Sequence, residues 1–173
     1  MRFADSLHEI TYLKKGEYFL EYGKRCSKIG QVKNGVLRGF IYDSKGNEVT
    51  THFFQEENML LGNYIANVNS TVTIEALEDC TISVASYNEI MSYVNKNSEI
   101  TEITNKIFHT LNNKVQSRLV ALLKLNSLEK YELFLKEYPN LINRIPHYYI
   151  ADFLGITPTQ LTRARKSFIN KCK

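Results

Sequence analysis

Five side chains near the C-terminal end, Thr157, Thr159, Gln160, Arg163 and Lys166, have the types and spacing to read a nucleic acid. Arg can hold guanine through two hydrogen bonds, and Gln can do the same for adenine. Lys and Thr suit phosphate and sugar oxygens. Thr159, Arg163, Lys166 and Asn170 recur at i, i+4, i+7 and i+11, so one helix would carry them on one face, with Gln160 and Thr162 alongside. Leu161, Ala164 or Arg165, and Phe168 fall on the opposite face, where a core can bury them. Charge agrees with this chemistry. Between Asn143 and Lys173, six basic residues (Arg144, Arg163, Arg165, Lys166, Lys171, Lys173) stand against Asp152 alone. That surplus exceeds the net charge of the whole chain, +4. The positive charge is therefore concentrated at one end, as expected where phosphate contacts supply affinity.

Such a face needs a helix held at a fixed angle. Pro146 can open a first helix, because its missing N–H is not needed there. Ile150, Ala151, Leu154 and Ile156 are apolar at helical spacing, and Ala151 is small enough to let a second helix approach. Gly155 can take the left-handed conformation that ends a helix. Thr157 then caps a second helix, with Pro158 at its first position and Gln160 three residues after the cap, the pattern of a capping box. Ile145 to Phe168 thus reads as a helix-turn-helix, whose second helix can enter the major groove of double-stranded DNA. On the residues alone, the alternative is a helical hairpin with a solvated basic face.

Upstream, residues 8–86 read as short strands: Glu9–Leu13, Tyr18–Leu20, Ile29–Lys33, Val36–Tyr42, Glu48–Phe54, Val72–Ala76 and Thr81–Ala85, rich in β-branched and aromatic residues. Turn signals separate them at Lys15-Gly16, Tyr22-Gly23, Asn34-Gly35 and Lys45-Gly46-Asn47. Asn34-Gly35 between apolar runs predicts a type I′ hairpin. The set favours a sandwich or barrel. A long helix is predicted from Ser98 to Leu125, with Ile100, Ile103, Ile107, Leu111, Val115, Leu119 and Leu122 in one stripe about 40 Å long at 1.5 Å per residue. A helix of that length outruns a small domain, and its stripe calls for a twin helix; a core helix within a monomer is the alternative. A third helix, Leu128 to Tyr138, ends at Pro139, and Asn140–Arg144 reads as a linker.

At 43% hydrophobic and 23% charged residues, the 173-residue chain is globular in composition. It has no apolar run long enough to span a membrane and no apolar N-terminal core, so a cytoplasmic location is expected. Cys26, Cys80 and Cys172 are odd in number and widely spaced, which predicts unpaired thiols and no iron–sulfur cluster. His8, His52, His109 and His147 are scattered, without the HxH pair of a cupin-like metal enzyme. No Gly-rich phosphate loop or nucleophile–His–Asp signal appears either, so no catalytic residues, metal ligands or cofactors are expected.

Short β-roll strands, a long helix and a helix-turn-helix in that order resemble the Crp/Fnr superfamily of bacterial transcription regulators. The resemblance covers nearly the whole chain. It rests on Leu13-Lys14-Lys15-Gly16-Glu17, Gly23, Ile29 to Phe40, Asp43 to Glu48, Thr73 to Cys80 and Ile150 to Thr157. It implies an α+β fold with an antiparallel, jelly-roll-like β-roll over 1–97, a dimerisation helix over 98–126 and a helix-turn-helix domain over 127–173. It also implies a homodimer on a palindromic DNA site, contact with RNA polymerase, and control by an event in the β-roll that shifts the helix pair around Asn112 to Leu119. Five residues follow Phe168, which resembles a compact branch with a truncated tail; any winged hairpin is expected before the helices.

Members that bind cyclic AMP carry a Gly-Glu pair and an Arg in a phosphate-binding cassette. Here the corresponding stretch, Asn58 to Val72, has no Arg, no Lys and no Gly-Glu. The Arg position falls near Asn69 or Ser70 and the Glu position near Leu60. A cyclic phosphate needs a cation or several N–H donors inside a protein, so cyclic AMP is not expected to bind in the usual way. Met59, Leu61, Gly62, Tyr64, Ser70 and Thr71 are instead the candidate lining for an unknown, less charged effector. A dimeric ligand-binding or protein-interaction module with degenerate DNA binding is the remaining alternative.

Overall fold

The computed structural model describes residues 9–63, 67–96 and 98–171. The chain divides into two compact units, with the boundary between Thr101 and Glu102.

The first unit carries β1 (Glu9–Leu13), β2 (Tyr18–Leu20), β3 (Lys28–Asn34), β4 (Leu37–Tyr42), β5 (Glu48–Phe54), β6 (Met59–Leu60), β7 (Thr73–Ala76) and β8 (Cys80–Ser86), then α1 (Tyr87–Lys96). Two four-stranded sheets form, ordered β1-β8-β3-β6 and β2-β7-β4-β5, and their paired strands run antiparallel. Period-2 alternation explains the layering. On β8, Cys80, Ile82 and Val84 face inward, where they meet Val32, Leu37, Leu60, Ile74 and Ala76. Ala85 faces the other way and joins Ile29, Tyr87 and Ile90 in a second cluster beneath α1. The α+β expectation and the antiparallel β-roll both hold.

The predicted hairpin at Asn34-Gly35 is corrected. β3 pairs with β6 and β8, whereas β4 pairs with β5 and β7, so the turn carries the chain from one sheet to the other. Asn34 still pairs with Thr81 and does not take the positive φ of a type I′ turn; only Gly35 does, at +109°. Gly35 is needed because a Cβ there would run into Cys80 Sγ and lie 2.9 Å from Cys80 Cα. The hairpin instead forms at Asp43–Asn47, between β4 and β5. There the Asp43 carboxylate accepts hydrogen bonds from the N–H groups of Lys45 (2.7 Å) and Asn47 (2.9 Å).

Sequence reading also missed a buried ion-pair network on the second sheet. Arg38 on β4, with a side chain only 3% exposed, pairs with Glu75 on β7 at 2.6 Å and with Glu48 on β5. Its guanidinium lies 4.2 Å from the Phe40 ring centroid.

The second unit takes in most of α2 (Ser98–Lys124), α3 (Ser127–Glu137), a 3-10 turn at Leu141–Asn143, α4 (His147–Phe153) and α5 (Pro158–Lys171). α3 starts in a capping box in which Asn126 accepts from the Glu129 N–H and the Glu129 carboxylate accepts from the Asn126 N–H. The expected linker after Pro139 is also corrected. Leu141 is fully buried and Ile145 is 5% exposed, so this segment packs into the core of its unit. No described helix is long and apolar enough to cross a membrane.

The Arg38 network yields a stability prediction. Glu75→Gln should destabilise the protein by about 2–3 kcal/mol, because it strips a partner from a desolvated cation. Glu48→Gln, at a carboxylate 41% exposed, should cost less than about 1 kcal/mol. Urea unfolding followed by circular dichroism checks the ranking, and equal losses would contradict it.

Candidate nucleic-acid interface and candidate effector pocket

The turn between α4 and α5 is built by the residues the sequence singled out. Gly155 takes φ +61°. Its N–H donates to Asp152 O at 2.9 Å, and the Ile156 N–H donates to Ala151 O at 3.0 Å. These are the two bonds of a Schellman ending. Thr157 then caps α5: its Oγ1 accepts from the Gln160 N–H at 3.2 Å, while its own N–H donates to Gln160 Oε1 at 2.8 Å. α5 therefore leaves the turn in a direction fixed by four hydrogen bonds.

Packing sets which face of α5 meets solvent. Leu161 and Ala164 are 2% and 4% exposed. Phe168 meets the Tyr131 ring edge-to-face at 5.8 Å, and Lys171 pairs with Glu132 at 2.8 Å, so α5 lies against α3. Of the two inner-face candidates, Ala164 is the buried one. Arg165 lies at the edge, with its Nη1 2.8 Å from His147 Nδ1 on α4. Thr157, Thr159, Gln160, Thr162, Arg163, Lys166 and Asn170 are all exposed. Thr162 turns its hydroxyl back to Pro158 O at 3.0 Å. The cap also engages one side-chain atom: Gln160 Oε1 accepts from the Thr157 N–H, while Nε2 lies outside the capping box.

α4 is anchored by aromatics. Phe153 packs on Phe134 (6.0 Å between centroids) and on Tyr138 (5.8 Å), both presented by α3 and its cap. Burial pushes the Tyr138 hydroxyl above its ordinary pKa, with the charge of Glu137 adding to the shift. On α2, Ala121 is buried, whereas Val115 (52% exposed), Leu119 (51%) and Leu122 (37%) leave an apolar row open.

Among the described residues, the candidate effector positions fall in two places. Met59 and Leu61 pack on Ile29, Ala85, Tyr87 and Ile90, on the side of the first sheet under α1. Leu60 between them points into the β-roll core. Gly62 and Ser70 do meet: a Cβ on Gly62 would lie 2.5 Å from Ser70 Oγ and 2.9 Å from Cys26 Sγ, and would collide with Leu20. The Ser70 hydroxyl donates to Val72 O at 2.6 Å and accepts from the Val72 N–H at 3.2 Å. Thr71 is exposed, and Tyr64 lies outside the described residues. Cys26 and Cys80 are buried, and burial raises the Cys26 pKa above its ordinary value, which disfavours a reactive thiolate.

Three comparisons bear on this arrangement. A family model described as the cyclic nucleotide-binding domain matches residues 10–97. Among curated proteins, no significant match is found. Among solved structures, FixK2 from Bradyrhizobium japonicum superposes with a TM-score of 0.85 at 14% identity, over 94% of this chain and 85% of that one. A CooA variant from Carboxydothermus hydrogenoformans gives 0.75 at 15% identity, over 95% and 78%. A putative transcriptional regulator of the Crp/Fnr family from Eubacterium rectale gives 0.68 at 24% identity, over 94% and 79%. At these identities the likeness is one of fold. With its β-roll, its long helix and the helical unit that follows, the chain belongs to the cyclic nucleotide-binding domain family, in the fold of the Crp/Fnr regulators.

Proposed function

We propose that this protein is a homodimeric, sequence-specific DNA-binding transcription regulator. The observation that carries this role is the exposed row Thr159, Arg163, Lys166 and Asn170 on a helix whose other face, Leu161 and Ala164, is buried. Arg163 is the proposed base reader, and Lys166 a phosphate contact. Thr157 and Thr159 sit at the helix start, where a recognition helix meets base edges and backbone. Gln160 adds its Nε2 as a donor at the same end.

The exposed apolar row of α2 supports dimerisation. Val115, Leu119 and Leu122 are half exposed and continue the stripe begun by Ile100, Ile103, Ile107 and Leu111 in sequence. A second copy of α2 covers such a row. A two-fold dimer presents two recognition helices to half-sites about 34 Å apart, one turn of DNA. The functional division is then a sensor β-roll over 1–97, a dimerisation helix over 98–126 and a DNA-binding domain over 127–173, acting in the cytoplasm through RNA polymerase. A binding role and not an enzymatic one is the reading that accompanies the fold of the Crp/Fnr regulators.

Cyclic nucleotide is not the proposed effector. The stretch 58–72 has no cation to offer a phosphate. Its Gly62 is packed against Leu20, Ser70 and Cys26, and the Ser70 hydroxyl is spent on Val72. Any effector of the β-roll must be chemically different.

Two measurements test these assignments. Arg163→Ala should relax specificity at one base position and cost about 1–3 kcal/mol at the preferred site, whereas Lys166→Ala should weaken all sequences alike and lower the salt slope by about one. Anisotropy titrations across a salt series read both, and the reverse pattern would exchange the two roles. Calorimetry with cyclic AMP at micromolar concentration should give no binding heat; a saturating isotherm would overturn the effector argument.

A further inference from the structure

The last carbonyls of a helix have no partners within it. In α4, three are satisfied locally: Ile150 O accepts from the Leu154 N–H at 3.0 Å, Ala151 O from Ile156, and Asp152 O from Gly155. The next carbonyl, Phe153 O, accepts from the guanidinium of Arg118, whose Nη2 is 3.0 Å away on α2. The same guanidinium lies over the Phe153 ring, 3.9 Å from its centroid. One turn further along α2, Leu122 Cδ2 reaches to 3.3 Å from where a Gly155 Cβ would stand. Two successive turns of α2 therefore grip the end of α4 and the glycine of the helix-turn-helix.

We propose that Arg118 is the positioning residue that fixes the helix-turn-helix on α2, by completing the C-terminal cap of α4 and stacking on Phe153. The cation has the favourable sign for a helix C-terminus. Only Leu154, Gly155 and Ile156 separate the α4 end from Thr157, so whatever holds Phe153 also holds the start of α5. Burial lowers the Arg118 pKa, opposed by Tyr138, Asp152 and Glu137. This inference rests on the DNA-binding role proposed above: if α2 is the dimer helix, Arg118 transmits its placement to the spacing between two recognition helices. Arg is suited to this, since its planar fork can donate and stack at once, which Lys cannot.

The test uses the full chain with Arg118→Met and Arg118→Lys, neither of which alters the DNA-facing row. Two readouts are taken: backbone amide hydrogen exchange without DNA, and affinity for two-half-site DNA at the preferred separation and at longer separations. Arg118→Met should speed exchange at Gly155 and Ile156 by about tenfold. It should also reduce the affinity ratio between preferred and lengthened separations by about tenfold, with the salt slope unchanged. Arg118→Lys should fall between, since it caps without stacking. Unchanged exchange overturns the proposal. So does faster exchange with an unchanged spacing ratio, which leaves only a structural cap. If the unmodified protein binds no two-half-site DNA, the DNA-binding role has failed, and positioning between recognition helices falls with it, whatever the exchange rates show of the cap itself.

Discussion

The angle between α4 and α5 is the constraint on which the exposed basic row depends. A helix with Arg163 and Lys166 on its outside is useful only if its inside is held, and four hydrogen bonds within Ala151–Gln160 hold it. Each of these bonds is weak against water by itself, about 1 kcal/mol. Their force lies in being made within a few residues of one another, so that the turn has one geometry. Burial of Leu161 and Ala164 and the Tyr131–Phe168 contact then select which face of α5 remains for a partner.

A second constraint is imposed by α2. Five apolar side chains near its end, Val115, Leu119, Val120, Leu122 and Leu123, are 37% or more exposed. Val115, Leu119 and Leu122 line one face of the helix, and an exposed apolar row of that kind invites a partner. The proposed partner is a second copy, because a two-fold pair gives the basic face of each α5 a matched half-site. In that scheme the β-roll acts on DNA only through α2. Its described interior is packed with side chains such as Phe19, Leu20 and Leu60.

Features encoded by neighbouring residues were legible. Gly155, Thr157 and Gln160 announced the turn and the capping box, because both motifs are local in sequence and each residue type has one physical reason to be there. The same holds for β1, β2 and β5, whose bounds follow from β-branched and aromatic runs between turn residues. What required distant partners was not legible. Asn34-Gly35 has the composition of a hairpin, yet sheet membership is settled by pairing with β8, more than 40 residues away. Arg38 gave no sign of its carboxylates, which lie 10 and 37 residues further along. Met59 and Leu60 form a strand too short to have a period of its own, which is why Met59 and Leu61 were grouped with Gly62 and Ser70 when in fact they pack beneath α1. Gln160 was legible as a cap, the role its side-chain oxygen takes toward the Thr157 N–H.

The most direct measurement is selection of binding sites from a randomised DNA pool by the purified protein, without added ligand. The account predicts enrichment of a palindrome whose half-sites are separated by about one helical turn. Salt-sensitive binding with no enriched sequence would show that the basic face attracts phosphate without reading bases, and would contradict the proposed role.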